Sequence, residues 1–217
     1  MKEKLGRFIK ENKSLLLFIV LMVVVRSSFA DWNTVPTGSM KPTIVEGDRI
    51  FVNKLAYDIK IPLTDISLYR LAEPRRGDII IFDSKVADKR LVKRVIGLPN
   101  DTVSMIGDHL IVNGVPAKYT DIKRKGNQIY AMESIGPFSH RIKLIAGINN
   151  PLSSFGPVKV PKDKYLVLGD NRDNSADSRV IGFVPREEIA GQTKTVVMSL
   201  NYNHYYLPRP ERFFHKL

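Results

Sequence analysis

A chain of 217 residues, 43% hydrophobic and 26% charged, has the composition of a packed protein with room for one main domain and an appendage. Its net charge of +12 calls for an anionic surface, but the lysines and arginines are scattered, with no basic helix or aromatic-interleaved patch, which argues against nucleic acid and leaves acidic phospholipid. The absence of cysteine excludes thiol nucleophiles, thiolate zinc sites and disulfides.

Residues 1–13 carry Lys2, Lys4, Arg7, Lys10 and Lys13 against Glu3 and Glu11, and an unbroken apolar run follows from Leu15 to Val25. Ser14 to Val25 rises only about 18 Å as a helix, short of a hydrocarbon core of about 30 Å. Two readings compete. One is a cleavable signal peptide ending at the small-x-small site Ser28-Phe29-Ala30. The other is a retained anchor over 14–32, with Arg26 snorkelling outward and Trp32 at the interface. A cation just before the cleavage site disfavours the first, so the anchor is the expectation. The positive-inside rule then keeps residues 1–13 cytoplasmic and puts 33–217 on the periplasmic or outer face of the membrane.

Beyond Trp32, short apolar or alternating runs are broken by glycine, proline, asparagine and aspartate. Strands are expected at Arg49–Asn53, Asp78–Phe82, Arg90–Ile96, Thr102–Met105 and Leu110–Asn113, the last turning at Asn113-Gly114. Four more are expected at Val158–Val160, Tyr165–Leu168, Gly182–Val184 and Thr195–Met198. So many strands at close spacing predict a mainly β, antiparallel domain. Residues 116–157, with two Gly-Pro steps and Asn149-Asn150-Pro151, read as an insertion. The basic, aromatic tail after Pro208 reads as a packed or lipid-facing terminus.

Chemistry enters at Val35-Pro36-Thr37-Gly38-Ser39-Met40-Lys41-Pro42. A serine among glycine, proline and threonine sits on a tight turn with its hydroxyl exposed. That hydroxyl is a weak nucleophile until a base removes its proton. His109, His140, His204 and His215 all fall outside the strongest motifs, whereas Lys93 lies in Leu91-Val92-Lys93-Arg94-Val95. In an extended strand Leu91, Lys93 and Val95 share one face, which desolvates the amine and leaves Arg94 solvated. A lysine base needs its pKa lowered by about three units from 10.4, roughly 4 kcal/mol, which apolar burial supplies. Thr37 offers a hydroxyl to an oxyanion, beside the Ser39 N–H.

A third segment, Gly169-Asp170-Asn171-Arg172-Asp173-Asn174-Ser175-Ala176-Asp177-Ser178-Arg179, follows a strand. It lacks the glycine and terminal glutamate of a calcium loop and reads as a polar network. In it Ser175 is placed to hydrogen-bond the lysine amine, and Asp177 to pair with Arg179. Taken singly, each feature has an ordinary explanation: a turn serine, a half-exposed strand lysine, a braced loop.

Together and in this order, after an N-terminal apolar run, these segments resemble the bacterial type I signal peptidases. Val25-Arg26-Ser27, Gly77-Asp78-Ile79-Ile80 and Val92-Lys93-Arg94-Val95-Ile96-Gly97-Leu98-Pro99 extend the resemblance over residues 25 to about 198. It implies a mostly β catalytic domain, a coiled antiparallel sheet shared with the self-cleaving Ser/Lys repressors. It implies Ser39 as nucleophile, Lys93 as general base, and the Ser39 N–H with the Thr37 hydroxyl as oxyanion hole. Ser175 would orient Lys93, with Asp177 and Arg179 as support and no metal or cofactor.

The expected activity is a membrane-bound serine endopeptidase, a monomer, that cuts exported preproteins after a small-x-small sequence. Val35, Pro36, Met40 and Val92 flank the Ser/Lys pair and are expected to line shallow pockets for small side chains. The alternatives are a Ser/Lys peptidase dedicated to one secretion or conjugation substrate, and a non-enzymatic, membrane-anchored β module that binds an anionic partner.

Overall fold

The structure, a computed structural model, describes residues 12–64, 66–148 and 150–217. Lys2, Lys4, Arg7 and Lys10 of the expected cytoplasmic segment, and Asn149 of the expected insertion, lie outside the described residues.

Helix α1 spans Lys13–Ser28 and is apolar around its circumference, with eight large side chains from Leu15 to Val23 exposed. It ends at Ser28, four residues earlier than the expected anchor. The reason lies in its C-terminus: Lys54 Nζ donates to the free carbonyls of Arg26 and Ser27 at 2.8 and 3.0 Å. The chain then turns into β1 (Ala30–Thr34), paired antiparallel with β2 (Asp48–Asn53), so Trp32 stands opposite Phe51 in a sheet. Arg26 turns back to Asp31 at 2.8 Å and lies 4.8 Å from the centre of the Trp32 ring. At 1.5 Å per residue, the helix is about 24 Å long. Among the described residues, no helix is long and apolar enough to cross a membrane.

The body is mainly antiparallel β. A short hairpin, β3 (Asp58–Lys60) and β4 (Ser67–Arg70), precedes β5 (Ile79–Ser84) and β6 (Lys89–Gly97). With β14 (Lys164–Leu168), β15 (Val184–Pro185) and the long β16 (Ile189–Asn201), these strands build the main sheet in the order β1-β2-β16-β5-β6-β14-β15. Register shifts along β16 bend it; its far end also takes β17 (Leu207–Pro208), and its middle takes β18 (His215–Lys216).

The unbroken run Ile79-Ile80-Ile81-Phe82 explains the sheet's position, because a strand apolar on both faces must be covered on both. Ile79 and Ile81 pack with Met40, Ile44, Ile50 and Val196 on one side. Ile80 and Phe82 pack with Val95, Tyr165, Val167 and Ile189 on the other. Each such side chain contributes about 1.5–3 kcal/mol by leaving water.

A four-stranded sheet of β7 (Thr102–Ile106), β8 (His109–Val112), β9 (Val115–Pro116) and β13 (Phe155–Lys159) closes over a separate core centred on Met105 and Leu110. Its tight turn is Asn113-Gly114, both at positive φ. Residues 118–145 form a three-stranded meander of β10 (Lys118–Lys125), β11 (Gln128–Ile135) and β12 (Phe138–Ile145).

Candidate active site

Ser39 opens a turn in which Lys41 N–H returns to Gly38 O at 3.1 Å and Ile44 N–H to Met40 O at 3.0 Å. Met40 and Ile44 are fully buried and anchor that turn in the core. The glycine before the serine leaves room for Glu46, since a Cβ at Gly38 would lie 2.5 Å from Glu46 Oε1 and that flexible side chain would have to move.

Lys93 reaches this turn from β6, where it stands opposite Ile80, and only 2% of its surface is exposed. Its Nζ lies 2.7 Å from Ser39 Oγ and donates to Val92 O at 2.9 Å. Burial lowers the Lys93 pKa to about 8, against the opposing pull of Asp177 and Asp170. The amine is therefore neutral in an appreciable fraction of molecules at neutral pH, with a hydroxyl within reach of its lone pair.

A cavity of about 300 Å³ opens on this pair. Val35, Pro36, Thr37, Met40, Val92, Ser175 and Ala176 are among its lining. Thr37 is exposed to it, and no hydrogen bond takes up the Ser39 N–H among the described residues. A larger cavity of about 730 Å³, beside Arg94 and His140, is bordered by neither Ser39 nor Lys93. Size alone does not mark the chemistry.

Two details differ from the sequence-based expectation. The Ser175–Lys93 hydrogen bond is not formed: Lys93 Nζ is engaged by Ser39 and Val92, and Ser175 Oγ is buried with no bond to it. A Cβ at Gly169 would sit 2.2 Å from that oxygen, so Ser175 packs on the glycine backbone. Arg94, expected in solvent, is buried. The second face of β6 is covered here, with Asp170 taking Arg94 in a two-point ion pair at 2.8 and 2.7 Å and the Phe138 ring 5.6 Å away.

The loop from Gly169 to Arg179 is braced throughout. Asp177 and Arg179 form a bidentate pair at 2.8 Å, and Asp177 also accepts from Gly169 N–H at 3.0 Å. Burial works to raise the Asp177 and Asp170 pKa values, but their arginine partners outweigh it and hold both below the usual carboxylate range. His140, between Glu133 and Asp170, is pushed down to about 4 by burial and is neutral at pH 7. Sequence reasoning assigned no role to Asp170, Asn171 or Glu133. The first two sit inside the polar motif, where density of side chains was the available signal; Glu133 carried none.

The sequence profile of the family described as signal peptidase, peptidase S26, matches residues 8–198. Signal peptidase I P of Bacillus subtilis subsp. natto is 34% identical, covering 92% of this chain and 94% of its own. Signal peptidase I of Pseudomonas fluorescens is 33% identical over 91% of this chain and 76% of its own. A solved signal peptidase I structure from Enterococcus faecalis is 31% identical over 56% of this chain and 97% of its own, with a TM-score of 0.37. With a match over most of its length and relatives at this identity, the chain belongs to the signal peptidase family, peptidase S26, and is a serine endopeptidase that removes signal peptides from preproteins.

Proposed function

We propose that Ser39 and Lys93 form the Ser/Lys dyad of this peptidase. The observation that carries the reading is the 2.7 Å approach of Lys93 Nζ to Ser39 Oγ inside a cavity, with the amine buried and its pKa near 8. Neutral Lys93 takes the Ser39 proton as Oγ attacks the scissile carbonyl. The tetrahedral oxyanion is received by the Ser39 N–H and the Thr37 hydroxyl. Lys93 then gives its proton to the leaving amine, which frees the mature protein and leaves the signal peptide as an ester on Ser39. Water deprotonated by Lys93 hydrolyses that ester.

The buried positions of Val35 and Met40, beside Pro36 and Val92, support a groove that admits only small side chains at the cut. Asp177 and Arg179 hold the loop that walls the cavity, and Ser175 stands in that wall. The same reading places residues 33–217 as one catalytic unit outside the cytoplasmic membrane, with 116–157 as an insertion in it. The enzyme acts as a monomer. Its basic surface meets acidic phospholipid, and the apolar circumference of α1 holds it there.

Lys93→Met and Ser39→Ala are the test. Each should abolish cleavage of a preprotein while the variant still folds and unfolds cooperatively. A folded Lys93→Met enzyme with full activity would sink the mechanism.

A further inference from the structure

The serine turn is gripped from the Gly169–Arg179 loop by one residue. Asn171 N–H donates to Ser39 O at 3.0 Å, and Asn171 Nδ2 donates to Gly38 O at 2.9 Å. Asn171 is 3% exposed, and its Oδ1 makes no hydrogen bond among the described residues, so the side chain serves only through its donor. Its neighbours leave it little freedom. Asp170 is fixed by Arg94 and accepts from Lys143 N–H at 2.8 Å, and a Cβ at Gly169 would come within 2.5 Å of Ser39 O.

Gly38 C=O and Ser39 N–H belong to one peptide unit. That unit is planar and trans, so the two groups point in opposite directions. Holding Gly38 O toward Asn171 therefore aims Ser39 N–H away from it, to the side on which no acceptor of the described residues takes it up. Lys41 N–H also reaches Gly38 O, at 3.1 Å, but Lys41 belongs to the turn itself and moves with it. Asn171 belongs to a separate loop tied to β6 through Asp170 and Arg94, and β6 carries Lys93.

We propose that Asn171 is a positioning residue for peptide cleavage: its side-chain amide fixes the Gly38–Ser39 peptide plane so that the Ser39 N–H stays aimed at the developing oxyanion. The inference rests on the reading of Ser39 as nucleophile. A buried asparagine that only stabilises the loop would alter folding without separating transition-state binding from substrate binding.

The test uses Asn171→Leu, close in shape and without the donor, and Asn171→Ala, both in the full-length enzyme in detergent. The substrate is a fluorogenic signal-peptide segment, and the probe is a peptide aldehyde ending in small-x-small, which forms a tetrahedral adduct with a serine. Expected are a fall in kcat of at least about tenfold with KM within about twofold, an equal loss of aldehyde affinity, and an unmoved acidic limb of the pH profile. Unchanged kcat in a folded variant overturns the proposal, as does a loss of kcat with aldehyde affinity intact. A measurement on the unmodified enzyme decides the matter if neither variant folds: the Asn171 side-chain amide protons should resist exchange with solvent, and fast exchange overturns the proposal. Ser39→Ala separates the two levels. Cleavage by that variant removes the nucleophile reading itself, whereas an inactive Ser39→Ala beside a fully active Asn171→Leu removes only the role of Asn171.

Discussion

Arg172 and Glu133, 39 residues apart in the chain, meet as a fully enclosed ion pair: Arg172 Nη1 donates to Glu133 Oε2 at 2.9 Å and Nη2 to Oε1. Tyr119 OH adds a third donor to the same carboxylate at 2.7 Å. The pair bolts the β10–β12 meander to the loop that grips the serine turn. Burial works to raise the Glu133 pKa, but Arg172 outweighs it and the carboxylate stays ionised.

Breaking that pair from one side strands a charge with no water. Glu133→Ala should therefore destabilise the enzyme by about 3–5 kcal/mol. Replacing both partners with apolar residues of similar volume, Glu133→Leu with Arg172→Met, should recover most of the loss. Denaturant unfolding of the two variants checks this; a double variant no more stable than the single one refutes it.

Activity should rise with pH as Lys93 loses its proton. Its pKa of about 8 places the acidic limb of kcat/KM near pH 8. Below that pH most molecules carry an ammonium at Nζ, which has no lone pair for the Ser39 proton. Initial rates from pH 6 to 10 test this, and a profile flat across that range excludes Lys93 as the base.

The same depression carries a stability cost. In the unfolded chain a lysine titrates near 10.5, and in the folded enzyme near 8, so folding works against the charged form. The cost is fully present below pH 8 and fades as pH rises from about 8 to 10.5, because the unfolded chain binds the extra proton across that window. At its fullest it is about 3 kcal/mol. Lys93→Met, which removes it, should gain stability over the unsubstituted enzyme at pH 7, and the gain should shrink toward pH 10.5. Thermal unfolding of both proteins at the two pH values measures the difference; a gap that widens with pH contradicts it.

Legibility in the sequence followed locality. The strands around Ile79-Ile80-Ile81-Phe82 and the Asn113-Gly114 turn are written in neighbouring residues, and a reader of periodicity and turn chemistry finds them. The approach of Ser39 to Lys93 was legible only as a pairing of motifs, because the two lie 54 positions apart and are brought together by sheet order and not by any local rule. Arg94 departs from the expected solvent exposure for a related reason. Strand alternation assigns it to the opposite face from Lys93, but only tertiary structure shows that Asp170 and Phe138 cover that face too. The C-terminus of α1 is set by a remote residue: Lys54 caps the Arg26 and Ser27 carbonyls, a contact that nothing in the apolar run signals. Glu133 was invisible because its partner lies across a chain excursion with no motif of its own.

The apolar surface of α1 yields the last prediction. Leu17 and Leu21 lie outside the mainly apolar cavity that Phe18, Ile19, Met22 and Val23 line with Leu63, and each exposes more than half its surface. Nothing in the described protein covers them, so lipid is the proposed solvent for that face. A lysine at the centre of a membrane-inserted helix costs about 2.5–3.5 kcal/mol. Leu17→Lys combined with Leu21→Lys should therefore shift the enzyme out of sedimenting vesicles of acidic phospholipid. Neither side chain touches the Ser39 cavity, so cleavage of a short peptide in detergent should be unchanged. Vesicle sedimentation, read with peptide turnover on the same preparation, separates the two effects: a doubly substituted enzyme that still pellets with the vesicles removes α1 as the anchor.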